Sequence, residues 1–266
     1  MRKGSMGEAF DIRAAGVDQK GGGGARLGRG LWVWYLSKAE GGDLGRMVER
    51  ARAAHLDWVA IKGGDGVRIW KQLTPAVVQA FRAAGIKVLG WVFVYGNAPA
   101  GEARVASAVL ATGCDGLIVD AEQAYEGKPD QATAYLAQVR AQFPQAFIAY
   151  STFPLISLHP GFPYREFGRY CDAAMPQCYW QDIGMSVAAM FERTRREWST
   201  WAKEACASGW GESVKPVLPV GQGYGGVDGP AIQEFLRLTA EEPGVSLWEW
   251  SQLSPGVWEV LEAFAG

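Results

Sequence analysis

The chain has 266 residues, with 26 basic side chains against 28 acidic ones and a formal net charge of -2. A single α/β barrel of about 250 residues fits that length without a second domain. The near-neutral balance lacks the positive field that nucleic acid or an anionic membrane attracts, which argues against both as partners.

Residues 1–28 carry scattered charges and include the run Gly21, Gly22, Gly23, Gly24, which loses too much backbone entropy on ordering to pack well. A flexible leader is expected there and a barrel over residues 29–266. The leader has no apolar stretch resembling a signal peptide, and nowhere do eighteen consecutive apolar residues suggest a membrane span. The expectation is a protein cytoplasmic as synthesised; one acting on a cell wall would be delivered as a phage product or by a non-classical export route.

From Leu31 onward, short apolar, β-branched and aromatic runs alternate with helical periodicity, the pattern of βα units around a parallel sheet. Strands are predicted near Leu31–Leu36, Trp58–Lys62, Val88–Tyr95, Gly116–Glu122, Ala146–Ser151, Ala173–Tyr179, Val217–Gln222 and Val245–Trp250. Thr74 before Pro75 reads as an N-cap with proline at the first helical position, and Gly85 and Gly113 stand where helices stop. Eight strands each followed by a helix favour a closed (β/α)8 TIM barrel over an open doubly wound sheet, because no unit is left to form an edge. Twelve Trp, nine Tyr and eleven Phe suit either its core or a cleft for flat, weakly polar ligands such as sugars.

In such barrels the chemistry sits at the C-terminal strand ends. In Gly116–Glu122 the period of two sends Ile118, Asp120 and Glu122 toward the axis and Leu117, Val119 and Ala121 toward the helices. Two carboxylates held close together in a partly dry cleft resist double ionisation, so one pKa should rise toward neutrality. The alternatives are a strand that simply ends in solvent, or an ion pair with Lys62, which ends strand two and would hold Asp120 ionised. Tyr95 ends strand three, and Tyr150 with Ser151 ends strand five. On strand six Met175, Gln177 and Tyr179 share a face, with Trp180 and Asp182 just beyond. Strand seven offers Gln222 and Tyr224. Strand eight carries Trp248, Glu249 and Trp250; if the tryptophan face looks inward, Trp248 becomes a floor for a sugar ring, and otherwise both indoles pack beneath helices. His55 and His159 are isolated. Cys114, Cys171, Cys178 and Cys206 form no CxxC pair and have no nearby His, so they read as buried free thiols, and neither metal nor cofactor is expected.

These blocks resemble the family 25 glycoside hydrolases, the Chalaropsis-type lysozymes of phages and bacteria. The matching stretches are HLDWVAIKGGDG, AAGIKVLGWVFVYG, the Asp-x-Glu of GLIVDAE, QAFIAYSTFP and VSLWEWSQL, within roughly residues 30–255. The resemblance implies that Glu122 protonates the glycosidic oxygen and Asp120 assists. The MPQCYW strand also resembles the Met-x-Tyr strand of family 18 chitinase-type barrels, which implies that Tyr179 steadies a substrate-derived oxazolinium. The lysozyme family carries further Asp residues on the first strand and after the last. Here those stretches read GLWVWYLS and Gly256-Val257-Trp258, so either Asp182 or Glu249 substitutes or the cleft binds glycan without cutting it.

Three functions follow as expectations. The first is a hydrolase of an N-acetylated polysaccharide such as peptidoglycan, muramidase- or endolysin-like. The second is a catalytically degenerate carbohydrate-binding or structural barrel of a phage particle or secretion apparatus. The third is a phosphate-binding barrel enzyme, from the glycine-rich stretch Gly221–Gly226 after strand seven, against which stands the lack of a basic residue nearby.

Overall fold

The computed structural model describes residues 26–264 as a (β/α)8 barrel. Its parallel strands are β1 (Gly28–Val33), β2 (Trp58–Asp65), β3 (Lys87–Val94), β4 (Gly116–Ala121), β5 (Phe147–Thr152), β6 (Ala173–Cys178), β7 (Val220–Gln222) and β8 (Gly244–Trp248). Each strand pairs with the next, and β8 pairs back to β1, which closes the ring. The helices are α1 (Leu44–Ala53), α2 (Pro75–Arg82), α3 (Pro99–Leu110), α4 (Pro129–Gln142), α5 (Tyr164–Tyr170), α6 (Val187–Ala207), α7 (Gly229–Leu238) and α8 (Pro255–Ala263). Among the described residues no helix is long and apolar enough to cross a membrane.

Local chemistry sets the boundaries. The Thr74 hydroxyl accepts from the Val77 amide at 3.3 Å with Pro75 at the first helical position, so α2 starts where the sequence predicts. Gly85 and Gly113 follow α2 and α3 with φ of 78° and 82°, a left-handed conformation that glycine adopts without steric cost.

Alternation along the strands separates two cores. Outward residues such as Val59, Val92, Val119, Ile148 and Leu247 pack beneath the helices. Inward ones form a second cluster along the axis, in which Trp32, Trp58 and Trp91 are fully buried beside Ala60, Ile118, Ala149 and Met175. Large rings are matched by small neighbours. Gly30 leaves the space that the Trp58 ring occupies, since a Cβ there would lie 2.0 Å from Trp58 Cε2. Each indole N–H is satisfied: Trp32 donates to Ser246 Oγ at 3.0 Å, Trp58 to Gly28 O at 3.3 Å and Trp91 to Val33 O at 3.1 Å.

The expected leader falls largely on residues 1–25, outside the described residues; its last three positions are held by hydrogen bonds. Leu27 is buried, its amide and that of Gly28 donate to Pro243 O, and β1 begins at Gly28. Arg26 donates to the carbonyls of Ala240 and Glu242. The buried Arg29 guanidinium donates to Ala54 O, Leu261 O and Phe264 O, tying both ends of the described chain to the face opposite the strand C-termini. Of the cysteines, Cys171 and Cys178 are buried free thiols as expected, whereas Cys114 is partly exposed and Cys206 exposed.

Gly30→Ala is expected to lower stability by about 1–3 kcal/mol, because the added methyl must displace a fully buried indole. Urea denaturation followed by circular dichroism measures this; an unchanged midpoint would show that the axial core has slack.

Candidate active site

The mouth of the barrel holds a cavity of about 130 Å³ lined by Trp32, Asp120, Glu122, Ser151, Gln177, Tyr179 and Trp248. Its polar wall follows from register. Asp120 lies beside Ser151 on β5 and Phe93 on β3, all three inward. One strand further, Gln177 reaches across. Its Nε2 lies 2.9 Å from Asp120 Oδ1, 3.0 Å from Glu122 Oε1 and 3.2 Å from Ser151 Oγ. Two such bonds to one nitrogen hold the carboxylate oxygens within about 6 Å of each other. Asp120 is buried and Glu122 half-buried, so the second carboxylate is the more accessible. The floor is aromatic: Trp248 packs against Trp32 at 5.5 Å, Trp91 at 5.2 Å and Trp34 at 5.6 Å between ring centroids.

No family model matches the chain, and no curated protein sequence matches it. Solved structures do. The catalytic domain of a hyperthermophilic chitinase from Pyrococcus furiosus superposes with a TM-score of 0.66 at 12% identity, covering 90% of this chain and 94% of that one. A family 18 chitinase from Crocus vernus gives 0.53 at 12% identity over 84% and 92%. A Bacteroides uniformis beta-glucuronidase gives 0.54 at 9% identity, covering 82% of this chain and 30% of the larger enzyme. At these identities the shared feature is the fold. Its neighbours include glycoside hydrolase barrels.

The structure brings together five of the residues singled out in the sequence. Asp120, Glu122, Gln177, Tyr179 and Trp248 line the cavity. The others lie elsewhere. Tyr150 pairs in register with Val119, points outward and is fully buried, its ring centroid 5.4 Å from that of Phe167 and 6.3 Å from that of Trp198. The inward group at the end of β5 is its neighbour Ser151. Trp180 follows inward Tyr179 and so faces out, buried against Phe235 of α7. Gln222 is buried but organises a loop: its Oε1 accepts from the Gln181 amide at 2.9 Å and its Nε2 donates to Asp182 Oδ1 at 3.2 Å. Asp182 itself is exposed and also accepts from the Tyr224 hydroxyl. Glu249 is buried, where it accepts from the Trp34 amide at 3.4 Å and from the Ser251 hydroxyl. Neither acid therefore opens onto the cavity as a substitute for those missing from the sequence pattern. Trp248 and Trp250 also separate, because β8 ends at Trp248 and Trp250 enters a 3-10 turn that buries it against Trp258.

Lys62 has another partner than the one expected. Its Nζ sits 2.7 Å from Asp65 Oδ2, whose other oxygen accepts from the Tyr95 hydroxyl at 2.9 Å, so Tyr95 belongs to the rim. A register shift between Lys62 and Gly64 explains the pair. Lys62 aligns with Trp91 but Gly64 with Val92 and Asp65 with Phe93, so the bulge turns both Lys62 and Asp65 inward. The adjacent glycines Gly63 and Gly64 are the sequence signal that could have revealed it. Trp32 was also legible, as an inward position on β1.

Burial holds the Asp120 carboxyl well above its ordinary pKa, and repulsion from Glu122 adds to the effect; the charge on Lys62 and the hydrogen bonds from Ser151 and Gln177 oppose it. The raised group of the pair is thus the deeper carboxyl. Burial, and next the charge of Asp120, also keep the Tyr179 hydroxyl protonated well beyond its usual range.

A carboxyl whose folded pKa is raised stabilises the fold at pH values below its unfolded pKa of about 3.9, and that contribution is lost as pH rises toward the folded value. Asp120→Asn, which cannot ionise, is therefore expected to gain stability relative to wild type as pH is raised from about 4 to 8. Urea denaturation of both proteins across that range tests the sign. A stability difference that stays flat, or that shrinks with rising pH, would contradict a raised Asp120.

Proposed function

We propose that this protein hydrolyses an N-acetylated polysaccharide such as peptidoglycan, with Glu122 as general acid. The observation that carries the reading is the Gln177 amide bridging Asp120 and Glu122 above an indole floor in one cavity. Sugar rings present C–H faces that pack on an indole, while their hydroxyl and acetamido groups require convergent polar partners. The glycosidase barrels among the fold neighbours support the same class.

The two carboxylates project from one strand end, not from opposite walls, and no further acid lines the cavity among the described residues. That arrangement favours a route in which the substrate supplies its own nucleophile. The acetamido oxygen attacks the anomeric carbon as the glycosidic bond breaks, and Glu122 gives its proton to the departing oxygen. Asp120 in its ionised form accepts the acetamido N–H, which becomes more acidic as positive charge develops on the oxazolinium. Tyr179, protonated throughout, donates to the same group. Water then opens the oxazolinium at the anomeric carbon, and Glu122 takes the proton from that water to return to its starting state.

A second reading, a carbohydrate-binding or structural barrel that does not cut, is favoured by one observation. Asp182 and Glu249 are engaged by loop groups, so half of the acidic set implied by the lysozyme resemblance has no replacement.

Glu122→Gln keeps the shape of the side chain and removes the proton it must donate, so turnover of purified cell wall or chitin should fall by about 10²–10⁴ with binding retained. Reducing-end release and isothermal titration measure the two separately. Equal turnover in variant and wild type would remove Glu122 from this role, and saturable binding without turnover by wild type would favour the second reading.

A further inference from the structure

Aromatic rings continue beyond the cavity. From Trp248 the contacts run to Trp34 at 5.6 Å, from Trp34 to Tyr35 in a stacked pair at 5.5 Å with 15° between planes, and from Tyr35 to Trp70 at 5.3 Å. Trp34 and Trp70 are half-buried and Tyr35, between them, is 38% exposed at the rim, whereas Trp32 under the cavity is buried. The outer rings come from two loops, one after β1 and one after β2.

Those loops are fixed to one another. Gln72 accepts from the Leu36 amide at 2.9 Å and donates to Trp34 O at 2.7 Å and to Lys62 O at 2.9 Å. From the other side, Glu249 accepts from the Trp34 amide at 3.4 Å. The Lys62 ammonium lies 5.3 Å from the Trp34 centroid, 4.4 Å from that of Trp70 and 4.7 Å from that of Trp91. A buried cation thus holds the two outer indoles and the floor to a common centre. Side chains held this way lose little further entropy on binding a ligand.

We propose that Trp34, Tyr35 and Trp70 form a second sugar-binding subsite, contiguous with the cavity, that receives the next units of a chain whose reacting residue rests on Trp248. The inference rests on the reading of the cavity as a glycan site and adds to it a direction and a length: the polymer leaves the mouth over the β1 and β2 loops. The occupant is an oligosaccharide of alternating apolar and hydroxyl-bearing faces, because the shelf offers aromatic rings, with Lys62 neutralised by Asp65 and the Lys38 ammonium, 4.7 Å from the Tyr35 ring centroid, placed to donate to hydroxyls. The cavity, at about 130 Å³, is of a size for part of one sugar, and the shelf provides the remaining contact area.

The test uses β-1,4-linked N-acetylglucosamine oligomers from the dimer to the hexamer, titrated by calorimetry into wild type, Tyr35→Ala/Trp70→Ala and Trp248→Ala. In wild type, affinity should rise with chain length; in the shelf variant the rise should flatten, leaving the longest oligomers about 5- to 20-fold weaker and the dimer the least affected. Trp248→Ala should weaken every length. Tyr35→Phe, which keeps the ring, should behave as wild type and guards against a loss caused by misfolding. Identical length dependence in wild type and shelf variant would overturn the subsite and leave the cavity reading standing. Failure of wild type to bind any oligomer would overturn both.

Discussion

Every second side chain of eight parallel strands must share one axis, and in this barrel the lower part of that axis is filled with indole rings. Trp58, Trp32 and Trp91 occupy the space left by Gly30 and the axial alanines, and each anchors its N–H on a backbone carbonyl or on Ser246. The packed column sets the depth at which polar residues can begin. Asp120, Ser151 and Gln177 are the first inward groups above it on β4, β5 and β6, which is why they meet. Were the column looser, water would reach the carboxylates from below, and the burial that raises the Asp120 pKa would be relieved.

The shift at Asp120 is produced by depth. Asp120 is buried beside the β5 hydroxyl and the β6 amide, whereas Glu122, two residues later, stands past the end of the strand where solvent reaches it. Lys62 offsets part of the cost without touching the pair, because the bulge in β2 gives it Asp65 as its own counter-ion. The site therefore combines a close carboxylate pair with a separate ion pair, joined through an aromatic wall. The Lys62–Asp65 ion pair tolerates the loss of one member poorly, since its partner is then left without compensation.

The barrel was legible from the alternation of short apolar runs with helical ones, and the cavity from parity along a single strand, since Asp120 and Glu122 share a face whenever Gly116–Ala121 is extended. Parity also explains what was misassigned. Tyr150 and Trp180 are polar-tipped aromatics at strand ends, a composition that suits either a cleft or a core, and their neighbours Ser151 and Tyr179 took the inward positions. Where strand geometry stops, parity stops with it: the bulge at Gly63 and Gly64 and the turn at Trp250 each redirect residues that simple counting places elsewhere. Gln222, Asp182 and Glu249 were beyond reach for another reason. Their partners are backbone amides and hydroxyls of neighbouring loops, and loop conformation is set by contacts that no periodicity encodes.

The tie between Arg29 and Phe264, and between Arg26 and the carbonyls of Ala240 and Glu242, brings residues 26 and 264 to the same side of the molecule, away from the cavity. A cargo, surface or second module fused at either point would hang from the base of the barrel and leave the whole upper face unobstructed. The barrel can thus be held from behind with its cavity free in front. The same proximity would allow the ends to be joined and the chain reopened at an outer loop, giving a permuted barrel with the same axial column.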